Sequence, residues 1–239
     1  MKTMICLILD RSGSMAGRED DVVGGVNAFL EEQKKLPHPA SLAMVRFDTG
    51  NIERFRTMGP LNLASPITRA DYQPRGGTPL LDAVGQTIVA LEDDWRREQP
   101  ERAIVVIVTD GAENESRIFT KARVKQMIES RQASGLWAFI YLGANVDAFA
   151  EAGSMGILFT NSAGYASTAQ GTAQAYNRMS ASVSEKRFTG DMLQETTLGG
   201  NIEEDGSITK KTTDTTAAAS STSTPWTAPK AEAPWTPPQ

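Results

Sequence analysis

The chain has 239 residues, 40% of them hydrophobic and 22% charged, with a formal net charge of −5. This is ordinary globular composition and enough length for a real core, and the acidic balance, with no basic cluster, speaks against nucleic-acid binding by phosphate neutralisation. The single cysteine, Cys6, lies inside an apolar run, which excludes disulfides within the chain and fits a reducing compartment.

The first element, Met4–Leu9, is an apolar run that stops at Asp10 and is followed by Ser12, Gly13 and Ser14. It is too short for a signal peptide and lacks a small-residue cleavage site. In an α/β protein such a run is a buried parallel strand, and its C-terminal end lies at the ligand-binding edge of the sheet. Asp20 and Asp21 suit a helix N-terminus. Val22, Val23, Val26, Phe29 and Leu30 then share one helical face, and Pro37 ends the element. Ser41–Phe47 reads as a second strand, Asp48-Thr49-Gly50-Asn51 as a turn, and Ile52–Met58 as a more polar third strand, antiparallel and at an edge.

Gly59 to Gly77 is irregular and ends in Arg75-Gly76-Gly77-Thr78-Pro79. Leu81, Val84, Ile88, Leu91 and Trp95 then step by three and four as an amphipathic helix, with Pro79 at its first position and Thr78 as N-cap. Ala103–Val108 is the β-branched run expected of a central parallel strand, and it too stops at a carboxylate, in Thr109-Asp110-Gly111. A helix over Lys121–Ser134 with Gly135 as C-cap, a fifth strand over Leu136–Leu142, a short helix over Val146–Ala152 and a sixth strand over Ile157–Thr160 follow. Tyr165, Ala169, Thr172, Tyr176, Met179 and Val183 mark a closing helix.

This alternation predicts a doubly wound α/β domain over residues 1–187, with a mostly parallel six-stranded sheet and one antiparallel edge strand. Residues 188–239 read as a flexible Thr-, Ala- and Pro-rich tail, too poor in apolar residues to form a core. Within it, Asp205-Gly206 offers a hairpin turn between Ile202 and Ile208. No stretch approaches the roughly 20 apolar residues of a membrane span. A cytoplasmic protein with no membrane partner is expected.

In a doubly wound sheet the C-terminal ends of neighbouring strands share one edge, so Asp10, Ser12, Ser14, Thr78 and Asp110 are expected to converge. Two carboxylates and three hydroxyls suit a hard cation such as Mg²⁺. Read singly, Thr78 is an N-cap, Asp110-Gly111 a turn, and the two serines satisfy backbone groups; their joint order favours a cation. His38, between two prolines, reads as an exposed loop residue, and one histidine with one buried cysteine makes zinc improbable. Glu113 and Glu115 read as solvated loop charges.

Asp-x-Ser-x-Ser at residues 10–14, Gly-Gly-Thr-Pro at 76–79 and Thr-Asp-Gly at 109–111 resemble the von Willebrand factor type A (vWA) domain, over roughly Met1–Val183. The resemblance, to single-domain bacterial or phage members, implies a Rossmann-like vWA fold with a metal-ion-dependent adhesion site. Ser12, Ser14 and Thr78 would be hydroxyl ligands of Mg²⁺ (Mn²⁺ or Ca²⁺ as alternatives), with Asp10 and Asp110 acting mostly through water. An acidic residue of a protein partner would complete the coordination, making the chain a non-enzymatic cytosolic adaptor.

The competing reading is a Mg²⁺-dependent phosphotransferase of haloacid-dehalogenase-like type with Asp10 as nucleophile. Against it, the acid/base Asp two positions on is replaced by Ser12, and no lysine is placed near these loops. In the tail, Trp226 and Trp235 recur in Pro-Trp-Thr-x-Pro frames, so a second partner contact through aromatic anchors is weighed against a passive linker.

Overall fold

The two apolar runs that end at carboxylates are adjacent, fully buried strands. The computed structural model describes residues 1–144, 147–193 and 198–209. In it β1 (Thr3–Asp10) pairs in parallel with both β2 (Ala40–Asp48) and β4 (Arg102–Thr109). β5 (Trp137–Ala144) continues the sheet beyond β4. Such strands read as unbroken apolar runs because helices cover both faces. Ile5, Leu7 and Leu9 pack with α1 (Glu19–Lys34) and α5 (Ala169–Thr189) on one face. Met4, Cys6 and Ile8 pack with α2 (Leu80–Glu98) and α3 (Lys121–Gln132) on the other. The two-residue alternation of β1 thus divides one strand between two cores.

Among the described residues the sheet has eight strands rather than six, in the order β3 (Asn51–Pro60), β2, β1, β4, β5, β6 (Ser162–Tyr165), β7 (Gly200–Ile202), β8 (Ile208–Thr209). β3 is the expected antiparallel edge strand beside β2. The opposite edge also turns antiparallel: β7 is parallel to β6, and β8 runs back along it. The Asp205-Gly206 turn joins them, with Gly206 at φ 82° and its amide on the Glu203 carbonyl at 2.9 Å. The sheet therefore continues past Arg187, which lies inside α5. The readings of Trp226 and Trp235 fall outside the described residues.

Two further expectations are corrected. The sixth strand is not Ile157–Thr160 but β6, Ser162–Tyr165, paired with Tyr141–Ala144. Ile157 is buried in the second core instead, and Phe159–Asn161 forms a 3₁₀ turn. β6 is short and built of small residues because β7 crowds it: a Cβ on Gly164 would meet the Asn201 side chain at 2.4 Å. Tyr165 accordingly ends β6, and the closing helix begins at Ala169, where the Thr168 hydroxyl accepts the Gly171 amide at 3.0 Å. The short helix α4 covers Ala148–Ser154. Among the described residues no helix is long and apolar enough to cross a membrane.

Candidate metal centre

β1 delivers Asp10, and β4 delivers Thr109 and Asp110, to the same edge of the sheet. Asp10 is only 1% exposed, and both its oxygens are held. Oδ1 accepts the Ser12 amide at 2.7 Å, and Oδ2 accepts the Thr109 hydroxyl at 2.5 Å. Burial pushes its carboxyl above the usual range, against the opposing pull of Thr109, Ser12 and the Arg18 charge. Past Asp10 the chain tightens into a 3₁₀ turn, Gly13–Met15. That turn sets the Ser12 and Ser14 hydroxyls 3.0 Å apart and lets Ser14 donate to Asp110 Oδ1 at 2.6 Å. Thr109, Asp10, Ser12, Ser14 and Asp110 are therefore linked through hydrogen bonds.

Thr78 joins them through Gly111, where a Cβ would stand 2.9 Å from the Thr78 hydroxyl oxygen. The expected capping role of Thr78 is corrected: α2 begins at Leu80, with Pro79 in the N-cap position. Glu113 and Ser116 take up its first free amides, accepting from Leu81 at 2.7 Å and Asp82 at 3.0 Å. Asn114 accepts the Thr78 amide at 2.9 Å. In return the Asp82 carboxylate accepts the amides of Arg117, Ile118 and Phe119. Glu113 is thus a structural acceptor that pins the loop after Asp110 to α2, not a solvated charge.

Backbone bonds stitch the loops together. The Gly13 amide donates to the Gly76 carbonyl at 2.8 Å, and the Arg75 amide to the Arg11 carbonyl at 2.7 Å. Beneath them Arg11 Nε meets Asp48 Oδ2 at 2.6 Å, with both side chains almost wholly buried, and Arg75 Nε reaches the same oxygen at 3.1 Å. Burial alone would raise the Asp48 carboxyl, but the Gly50 amide and the two arginines outweigh it and hold it below the usual range.

All five sequence-nominated residues thus lie at one edge. Motif reading named Thr109 without giving it a role and missed two others. Thr109, the first residue of Thr-Asp-Gly, anchors Asp10. Arg11 is hidden as the variable position of Asp-x-Ser-x-Ser. Arg18 pairs with Asp110 Oδ2 and donates to the Ser14 carbonyl at 2.9 Å. Its signal is an arginine at the N-cap of α1, where Ser, Thr, Asp or Asn is preferred. Among the described residues no group of three or more His, Cys, Asp or Glu gathers, so the hydroxyls are indispensable to any cation site here.

No protein-family model matches the sequence, and no curated protein does. Solved structures share its fold. The SpRpn10 VWA domain is 12% identical with a TM-score of 0.52, over 74% of this chain and 94% of that one. The pilus adhesin SpaC from Lactobacillus rhamnosus GG is 15% identical with a TM-score of 0.58, over 77% of this chain. Proximal thread matrix protein 1 from the mussel byssus is 14% identical with a TM-score of 0.50, over 75% of this chain. This chain spans only 30% of the adhesin and 45% of the byssus protein. The likeness is one of fold: the chain has a vWA-like α/β fold.

Proposed function

We propose that this chain is a metal-dependent protein-binding module, a cytosolic adaptor in which a Mg²⁺-type cation at the Asp10 edge is completed by an acidic side chain of a protein partner. The observation that carries this reading is the pair of serine hydroxyls 3.0 Å apart within reach of Asp110. Octahedral Mg²⁺ with oxygens at about 2.1 Å needs neighbouring ligands about 2.9–3.0 Å apart, so the two serine hydroxyls suit adjacent ligand positions, and an all-oxygen donor set suits a hard cation. Ser12, Ser14 and Thr78 would hold the ion directly, with Asp10 and Asp110 acting through water. The ion would supply a compact positive charge with a position left open to a carboxylate.

The chain's own residues do the positioning. Thr109 and the Ser12 amide fix Asp10, Ser14 ties the first loop to Asp110, and the Arg11–Asp48 pair supports the turn from below. Mn²⁺ and Ca²⁺ are the alternative ions, and nucleic acid and membranes are not expected partners. Residues 210–239, with Trp226 and Trp235, would add a second, aromatic contact with the partner.

The test is pull-down of a partner from host lysate in Mg²⁺ and in EDTA, with wild type and Asp10→Ala. Capture that depends on both Mg²⁺ and Asp10 supports the reading; capture indifferent to both overturns it. The enzymatic alternative is disfavoured by the two hydrogen bonds that occupy the oxygens of Asp10. Mg²⁺-dependent hydrolysis of a phosphate ester that Asp10→Asn abolishes would revive it.

A further inference from the structure

Resting on that reading of the site, we propose that Arg18 is a built-in counter-cation that occupies the metal position in the metal-free protein and must release Asp110 before a divalent cation can be seated. Asp110 has two oxygens, and both are engaged: Ser14 donates to Oδ1 and the Arg18 guanidinium pairs with Oδ2. The same guanidinium donates to the Ser14 carbonyl. Arg18 thus holds one carboxylate oxygen of Asp110 and the backbone of the Ser14 turn, and its charge also reaches Asp10.

Two features show that Arg18 is not there to stabilise its own helix. It stands in the N-cap position of α1 without a side-chain cap. Its charge lies at the positive end of that helix, followed by Glu19, Asp20 and Asp21, where anions and not cations are favoured. Local preferences that fail together at one residue mark a functional position.

The chemistry explains what that position gains. Without a cation, two carboxylates, Asp10 and Asp110, stand at the same sheet edge, and a guanidinium offsets part of their charge. A guanidinium and a divalent ion cannot share the spot, because like charges at close range repel. Metal entry is therefore an exchange of one cation for another.

The test uses the full-length chain and Mg²⁺ alone as probe. Calorimetric titration compares wild type, Arg18→Gln and Arg18→Lys. Arg18→Gln should bind Mg²⁺ roughly tenfold or more tightly, because apparent affinity scales with the fraction of molecules whose site is open. Arg18→Lys, which keeps the charge and loses the fork, should fall between. Independently of any variant's folding, the guanidinium ¹⁵N resonance of Arg18 in the wild type should move to the position of a solvated arginine at Mg²⁺ saturation. If wild type binds but Arg18→Gln gains nothing, or the Arg18 resonance stays put, the exchange is overturned while the metal reading stands. If neither protein binds Mg²⁺, the metal reading falls and the exchange falls with it.

Discussion

Arg11 sits between two proposed ligand positions, yet its side chain points away from them into a buried pair with Asp48. Removing one partner of a buried pair leaves an uncompensated charge, so Asp48→Asn should cost about 3–5 kcal/mol, read as a shift in urea midpoint. Because the Asp48 carboxyl is held below its ordinary range, its contribution is present above the unfolded value and lost as pH falls through the folded one. The gap between wild type and Asp48→Asn should therefore narrow below about pH 4, which acid titration of the urea midpoint checks. Asp10 has the opposite sign. Its raised pKa means that the protonated form stabilises the fold and that this benefit is lost as pH rises through the folded value. Asp10→Asn should thus stabilise the metal-free protein at neutral pH while abolishing its response to Mg²⁺, both visible in thermal melts. Asp10, Ser12, Ser14, Thr78 and Asp110 were legible because the motif lies in short runs at element ends. The roles of Arg11, Arg18 and Thr109 were not: no motif assigns any of them a partner, and those partners stand 37, 92 and 99 residues away.

Among the elements, the strands easiest to read were those covered on both faces, because full burial leaves only apolar residues in β1, β4 and β5. β6, β7 and β8 were harder: Ser162-Ala163-Gly164-Tyr165 and Gly200-Asn201-Ile202 have little apolar bulk, and their pairing is decided by close approach. The same crowding governs helix contacts. Gly25, buried in α1, faces the ring of Tyr176 on α5, and a Cβ there would stand 2.4 Å from it. Alanine is intrinsically the better helix former by about 1 kcal/mol, yet overpacking costs about 1–3 kcal/mol. Gly25→Ala should therefore destabilise the protein on balance, lowering the urea midpoint, whereas exposed Gly24→Ala, with open space around its Cβ, should raise it.

For the whole molecule, binding of Mg²⁺ to the folded state alone should add about 2.7 kcal/mol at 100 times Kd. In a chain of this size that is a rise of roughly 5–10 °C in Tm, absent in Asp10→Ala. Because β8 is the last described strand, a truncation designed to spare the fold ends at Thr209. Such a chain should keep both its Tm and its Mg²⁺ response in calorimetry and lose only avidity for a partner. The place of β1 within the sheet has one further consequence, a mechanical one. β1 lies between β2 and β4, in register along nearly its whole length with each, and Asp10 is its last residue. A pull applied at the Asp10 turn against the start of the chain runs lengthwise along this strand. It loads two parallel ladders at once in shear, so the hydrogen bonds share the tension instead of opening one after another like a zip. A partner gripping this edge would tug on a strand anchored along both of its sides.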